Sequence, residues 1–348
     1  MVPLSASSFD PTDKANQELD MKRRIALPAV ALGLLLAIAG VFLAREQGSM
    51  AMRAATLALK AGGKPLADLE AVKRSITSRR YPSPAPIPPS LAAQVTVERQ
   101  QIGGNPVITL TPRVRASRWH IIYYHGGAYV NEITKPHWDI IGALIKATGA
   151  TVTVPIYPLS PEQNNRDAFP FMTEVYRQIV ATTAAGNVIL VGDSAGGGLA
   201  IGEALELRRQ GLPAPARLIL FSPWLDLTMA DPAARTVEPV DVMLTVDSLR
   251  AFGKMWAAGD DARLARLSPL YAELGGLPPI DLYQGTHDIF VVDARTFVRK
   301  VKLAGGAIHY GEYPGAFHVF VGATFTPEAK QVFREIGTVI PRGAANEK

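Results

Sequence analysis

Between residues 94 and 336, short apolar runs alternate with longer stretches of helical periodicity, and this alternation restricts the fold more than any other feature of the chain. The strand-like runs are 94–99, 106–110, 120–124, 150–155, 187–191, 217–221, 280–284 and 307–313. Between and after the later runs lie helical patterns at 138–147, 169–182, 195–209, 294–303 and 328–336. An unbroken run such as Asn187-Val188-Ile189-Leu190-Val191 is the pattern of a strand covered on both faces. Alternation of this kind predicts an α/β fold, with a mostly parallel central sheet covered by helices on both faces. Residues 228–267 break the rhythm. They are helix-like and follow a strand, which predicts an insertion able to cover a site.

The chemistry concentrates at four strand ends. After the 187–191 run comes Gly192-Asp193-Ser194-Ala195-Gly196, and a helical pattern follows at once. This strand–turn–helix setting is what a G-x-S-x-G nucleophile turn requires. A sharp, strained turn exposes the Ser194 hydroxyl, and glycine two residues to either side avoids a collision across it. The helix beginning at Ala195 aims free N–H groups at the same place. A phosphate-binding turn would look different: Gly196, Gly198 and Gly202 are spaced one residue too long for the dinucleotide fingerprint, and no Gly-Lys-Ser/Thr loop exists. No cofactor is therefore expected.

After the 120–124 run comes His125-Gly126-Gly127-Ala128-Tyr129. Two glycines after a strand let backbone N–H groups face a ligand closely, so Gly126 and Gly127, with Ala195, are the expected donors to an oxyanion. His125 reads as a brace. A base is expected after the acid, and both after Ser194. His309 alternates with Ile308 and Tyr310 and reads as a sheet residue. His287 sits at a strand end. His318 follows Tyr313-Pro314-Gly315-Ala316-Phe317, expected to be a loop, and is the favoured base. Asp288, past the carboxyl end of the 280–284 run, is the favoured acid, whereas Asp293 reads as a helix cap. Trp224 and Asp226 read as braces of the sheet edge.

These pieces resemble the hormone-sensitive-lipase-like group of α/β-hydrolases, which includes bacterial carboxylesterases and arylacetamide deacetylases. The resemblance rests on His125-Gly126-Gly127-Ala128, Pro155-Ile156-Tyr157-Pro158-Leu159-Ser160-Pro161-Glu162, Gly192-Asp193-Ser194-Ala195-Gly196-Gly197, Ser222-Pro223-Trp224-Leu225-Asp226-Leu227, Gly285-Thr286-His287-Asp288 and Tyr313-Pro314-Gly315-Ala316-Phe317-His318. It covers roughly residues 95–340. It implies the α/β-hydrolase fold with an eight-stranded sheet, a helical cap, and hydrolysis of short- to medium-chain acyl esters without a cofactor. The expected partner is a small-molecule or lipid ester. Ala128 stands where the group often has a third glycine, and its N–H remains. Asn164-Asn165-Arg166 reads as extra loop. A peptidase, amidase or lactonase with the same triad is the alternative within enzymes. A membrane-anchored binding protein on an inactive scaffold is the alternative outside them, and the three filled triad positions argue against it.

Residues 25–44 carry no charge, Lys22-Arg23-Arg24 precede them and Arg45 follows. A helix of that length spans about 30 Å, the hydrocarbon thickness of a bilayer. It reads as a transmembrane anchor. Ala37-Ile38-Ala39 also resembles the cleavage site of a signal segment. The basic cluster predicts a cytoplasmic tail at 1–24 and a body beyond the membrane, secreted if the segment is cleaved. Residues 45–92 read as a helical cap segment and a connector with five prolines, and 93–340 as the catalytic domain. The net charge of +5 lies within residues 1–100, where 13 Lys and Arg face 8 Asp and Glu. The remainder is balanced, which speaks against nucleic acid and for an anionic membrane surface. With no cysteine, disulfides, thiolate metal sites and thiol nucleophiles are excluded.

Overall fold

The computed structural model describes residues 47–64, 70, 74, 84–114 and 116–341. The expected tail at 1–24 and the anchor or signal segment at 25–44 lie outside the described residues, as does much of 65–83. Among the described residues, no helix is long and apolar enough to cross a membrane.

In chain order the elements are α1 (Met50–Ala61), α2 (Pro89–Ala92), β1 (Val95–Ile102), β2 (Asn105–Pro112), β3 (His120–Tyr124), α3 (Lys135–Thr148), β4 (Thr151–Pro155), α4 (Asn165–Val180), β5 (Val188–Asp193), α5 (Ala195–Arg209), β6 (Arg217–Phe221), α6 (Ala234–Val237), α7 (Val246–Ala257), β7 (Ile280–His287), α8 (Val291–Leu303), β8 (Ile308–Phe317) and α9 (Pro327–Val339). The eight strands form one sheet in the order β1-β2-β4-β3-β5-β6-β7-β8. β1 and β2 pair antiparallel, as do β2 and β4, and every later pair is parallel.

The apolar runs divide between two cores by their period of two. Ile122, Tyr124, Leu190, Leu218, Leu220 and Leu282 pack on one face, with residues of α4, α5 and α8. Ile121, Tyr123, Ile189, Val191, Ile219 and Phe221 pack on the other, with residues of α3 and α9. β3 leads to β4 on one side, while β5 returns to its other side. That reversal opens a crevice at the carboxyl ends of β3 and β5, where open α/β sheets hold their sites. Pairing of Tyr124 with Gly192 brings the two ends level.

Three local expectations are corrected. Asn164-Asn165-Arg166 is not extra loop: Asn164 caps α4 by accepting the Arg166 N–H at 3.0 Å, and Asp167 returns the favour to the Asn164 N–H at 2.9 Å. Tyr313 to Phe317 is not a loop, because β8 runs on to Phe317 across a register shift opposite Gly285 and His287. Asp293 is not the cap of α8. It sits inside the first turn after Phe290 and is buried.

Residues 49–64 are fastened at both ends. Ser49 donates its N–H and hydroxyl to the two oxygens of Glu328 on α9, at 2.6 and 2.8 Å. Lys64 donates to the carbonyls of Glu238 and Leu244, at 2.8 and 3.3 Å, and so joins this segment to the 228–267 insertion.

Candidate active site

Ser194 sits between β5 and α5 with φ 53° and ψ −121°, in a region that side-chain-bearing residues rarely occupy. Its backbone is pinned on both sides. The N–H donates to Phe221 O at 2.9 Å, and its carbonyl accepts from Gly197 and Trp224, at 3.0 and 2.9 Å. A Cβ at Gly192 would overlap the Gly196 carbonyl oxygen across the turn, as expected. At Gly196 the obstacle is different. A Cβ there would overlap the Tyr124 carbonyl of the neighbouring strand, so that glycine serves the approach of β3 to the turn.

The three residues singled out in sequence meet in space. His318 Nε2 lies 2.9 Å from Ser194 Oγ, and His318 Nδ1 lies 2.8 Å from Asp288 Oδ2. All three are buried, with Ser194 the most exposed at 7%. Asp288 Oδ1 accepts the Phe290 N–H at 2.9 Å, which leaves Oδ2 for the imidazole. Burial disfavours the charged form of His318, but the carboxylates of Asp288, Asp241 and Asp193 outweigh it, and its pKa is raised above the ordinary value. The edge of Phe290 packs against the ring at 5.2 Å.

The loop after β3 departs from expectation at one position. The Gly126 N–H donates to Asp193 Oδ1 at 3.1 Å, so it is committed and not free for an oxyanion. Gly127 turns with φ 116°, followed by Ala128 and Tyr129 at φ 56° and 62°. Among the described residues, the N–H groups of Gly127, Ala128 and Ala195 have no backbone acceptor. The free donors are therefore Gly127, Ala128 and Ala195. A Cβ at Gly126 would overlap Asp193 Oδ2, which ties this glycine to close contact with the nucleophile turn.

Asp193 is the hub of a buried network. Its Oδ1 also accepts the Tyr123 hydroxyl at 2.5 Å, and its Oδ2 lies 3.4 Å from His137 Nε2. Burial raises its pKa, but His137, Tyr123 and His125 together hold it below the usual carboxylate value. His125 stacks on Tyr157 with centroids 4.5 Å apart, and its Nδ1 donates to the Gly126 carbonyl at 2.7 Å. Burial lowers its pKa to about 4, so it is a neutral brace.

The remaining candidates fall elsewhere. His309 lies on β8, 3.6 Å from Glu335, and His287 ends β7. Trp224 donates to the Asp226 carbonyl at 2.8 Å, and Asp226 accepts from Thr228, Ala230 and Tyr271. Two residues were not legible in sequence. Ser222 Oγ accepts the Val319 N–H at 3.0 Å and so holds the residue after His318. Asp241 accepts the Ile289 N–H at 3.0 Å and so holds the residue after Asp288. Both act across more than 45 residues, and nothing near them in sequence announces it. A cavity of about 330 Å³ lined by Arg166, Phe169, Thr173, Arg177 and Arg266 has no triad residue in its wall. Among the described residues, no group of three or more His, Asp or Glu side chains is placed to hold a metal ion.

Comparison with known proteins fits this arrangement. A family model described as the alpha/beta hydrolase fold matches residues 121–322, a span from β3 to just past His318. An acetyl-hydrolase of Streptomyces hygroscopicus is 33% identical over 201 residues, 58% of this chain and 67% of its own. An esterase of Acinetobacter venetianus is 32% identical over 228 residues, covering 64% of this chain and 75% of its own. The crystal structure of a hormone-sensitive lipase from a metagenome library superposes with a TM-score of 0.72 at 28% identity, covering 85% of this chain and 98% of that one. With a family match over more than half its length and a strained Gly-x-Ser-x-Gly turn, sheet order and strand-end histidine to accompany it, the chain belongs to the α/β-hydrolase family, among the hormone-sensitive-lipase-like esterases.

Proposed function

We propose that this protein is a serine carboxylic-ester hydrolase that cleaves short- to medium-chain acyl esters through an acyl-enzyme intermediate. The observation that carries the reading is the hydrogen-bonded chain from Ser194 Oγ through His318 to Asp288, at 2.9 and 2.8 Å. Ser194 Oγ attacks the ester carbonyl carbon as its proton passes to His318 Nε2. The carbonyl electrons move to oxygen, which Gly127, Ala128 and Ala195 receive through their N–H groups. Each such donor contributes roughly 3–4 kcal/mol to the transition state. Collapse of the tetrahedral species breaks the bond to the alcohol oxygen, which leaves with the proton from His318. Water then gives a proton to His318 and attacks the acyl carbon. The carboxylic acid departs and Ser194 recovers its proton. Asp288 keeps the Nδ1–H in place and balances the imidazolium.

Residues 45–92 and the insertion 228–267 act as the cap that shapes the acyl site, a role supported by the Lys64 bridge between them. Residues 1–24 form a cytoplasmic tail and 25–44 a membrane anchor, with the catalytic domain at 93–340 outside the cytoplasm. The support is the uncharged run behind Lys22-Arg23-Arg24. Amino-terminal sequencing of the membrane-extracted protein tests this, since a new terminus near Ala39 would mean cleavage and secretion.

The chemical reading is tested by hydrolysis of p-nitrophenyl esters from acetate to palmitate, using the full-length chain and its Ser194→Ala variant. Turnover of the short esters, with a loss of about four to six orders of magnitude in the variant, is expected. Equal activity of the two proteins would overturn it.

A further inference from the structure

Asp241 lies in the insertion between α6 and α7, yet it is only 1% exposed and packs against the catalytic acid's turn. Its Oδ1 accepts the N–H groups of Met243 and Leu244, at 2.8 and 2.9 Å. Its Oδ2 reaches out of the insertion to the Ile289 N–H at 3.0 Å, one residue after Asp288. The loop that carries it is clamped from outside, because Lys64 holds the carbonyls of Glu238 and Leu244. Its three hydrogen-bond donors are all backbone N–H groups, and none is a cation.

The turn alone does not account for a carboxylate. Asn or Ser would accept the Met243 and Leu244 N–H groups without a charge. Burying a carboxylate beside another without a cation costs several kcal/mol. The cost is visible in its ionisation: burial first, then the Asp288 charge, push its pKa up to about 6, while His318 pulls the other way. A group kept under that penalty at the back of a triad calls for a role in the triad.

We infer that Asp241 is a positioning residue for the Asp288–His318 pair: through the Ile289 N–H it fixes the turn bearing Asp288, and it sets a second carboxylate behind the imidazole. The inference rests on the hydrolase reading above and extends it, since it makes the cap insertion part of what tunes the base. The ionisable groups that act on His318 are Asp288 from the β7–α8 turn, Asp241 from the insertion and Asp193 from the nucleophile turn. With Asp241 neutralised, the imidazolium loses one of three stabilising charges, so His318 becomes the weaker base.

The test is an NMR titration of the His318 imidazole in the full-length chain, assigned against His318→Gln, in wild type, Asp241→Asn and Asp241→Ser. Both variants keep an acceptor for the Met243 and Leu244 N–H groups, and both remove the charge together with the Oδ2 acceptor of the Ile289 N–H. The expected result is a His318 midpoint lower by about half a pH unit to one. The acid limb of kcat/KM should follow in the same direction, with kcat reduced severalfold and KM within twofold. A midpoint that does not move, with or without a loss of thermal stability, overturns the inference and leaves Asp241 as a turn former. If neither variant folds, wild type decides: a second inflection in the imidazole resonance near pH 6, where Asp241 titrates, supports the inference, and its absence refutes it. The imidazole titration needs no substrate. A shifted midpoint in a protein that cleaves no ester would therefore sink the esterase reading alone.

Discussion

Replacement of Asp193 by Asn is the most informative single change near the nucleophile, because it keeps shape and removes charge at the hub of the oxyanion loop. Asp193 Oδ1 accepts both the Tyr123 hydroxyl and the Gly126 N–H. Bonds to a charged acceptor are worth about 1.5–3 kcal/mol and neutral ones about 1 kcal/mol, so two of them lose about 2 kcal/mol together. The other oxygen faces His137 Nε2 at 3.4 Å. His137 Nδ1 accepts the Thr134 N–H at 2.8 Å, which places a ring proton on Nε2. Asn would put its amide N–H against that proton, adding about 1 kcal/mol for a lost acceptor. Relief of the buried charge offsets part of this. The net expectation is a loss of about 2 kcal/mol, or roughly 3–5 °C in Tm for a domain of this size. The Gly126 tether weakens and the Gly127 and Ala128 donors lose definition, so kcat on p-nitrophenyl butyrate should fall about tenfold. Asp193→Ala, with the tether gone, should approach the 10²-fold or greater loss of an oxyanion donor. Because Asp193 is held below its unfolded value, its contribution is present above about pH 4 and disappears as pH falls through the lower folded value. The Tm gap between wild type and Asp193→Asn should therefore be steady from pH 5 to 8 and close only in stronger acid. An Asp193→Asn variant with unchanged kcat and unchanged Tm would show that Asp193 does not hold the loop.

Three further outcomes are expected. His318 must be neutral to act, and its pKa is raised, so kcat/KM should reach half its plateau above about pH 6.5; a flat profile to pH 4 would remove His318 as the base. Glu203 is buried with Oε2 unpartnered, and burial raises its pKa to about 8. The unfolded chain then releases a proton that the folded protein keeps, so stability is lost as pH rises from about 4.5 towards 8; Glu203→Gln should raise Tm more at pH 8 than at pH 5, and a pH-independent gap would count against this. Trp256 on α7 stacks on Tyr129 with centroids 4.4 Å apart and is fully buried, so Trp256→Ala should cost about 3–5 kcal/mol in chemical denaturation, with a raised KM because Tyr129 adjoins the oxyanion loop.

Much of the scaffold can be read from the chain because its signals are local. Each of the eight strand-like runs overlaps an observed strand, and the bounds coincide at β3, β6 and α5, where a buried apolar run meets an abrupt polar or glycine boundary. Errors arose where a neighbour decides. β8 continues to Phe317 because β7 runs alongside it. α4 starts early because Asn164 and Asp167 form a capping box across a stretch of polar residues. Ser194, Asp288 and His318, which meet in space, could be picked out by chain order and strand ends. Gly126 is not the donor its place in the motif suggests, for a reason of chemistry rather than pattern: a neighbouring carboxylate, Asp193, occupies its N–H. Asp241 and Ser222 stayed hidden because each acts on a backbone N–H far away in sequence.

Everything proposed for this site depends on Ser194 being an activated nucleophile. A fluorophosphonate probe applied to the full-length chain, followed by peptide mapping, tests it most directly. One modified residue, Ser194, is expected, with labelling abolished in Ser194→Ala and strongly slowed in His318→Ala. A folded protein that is labelled at another residue, or not at all, would contradict it.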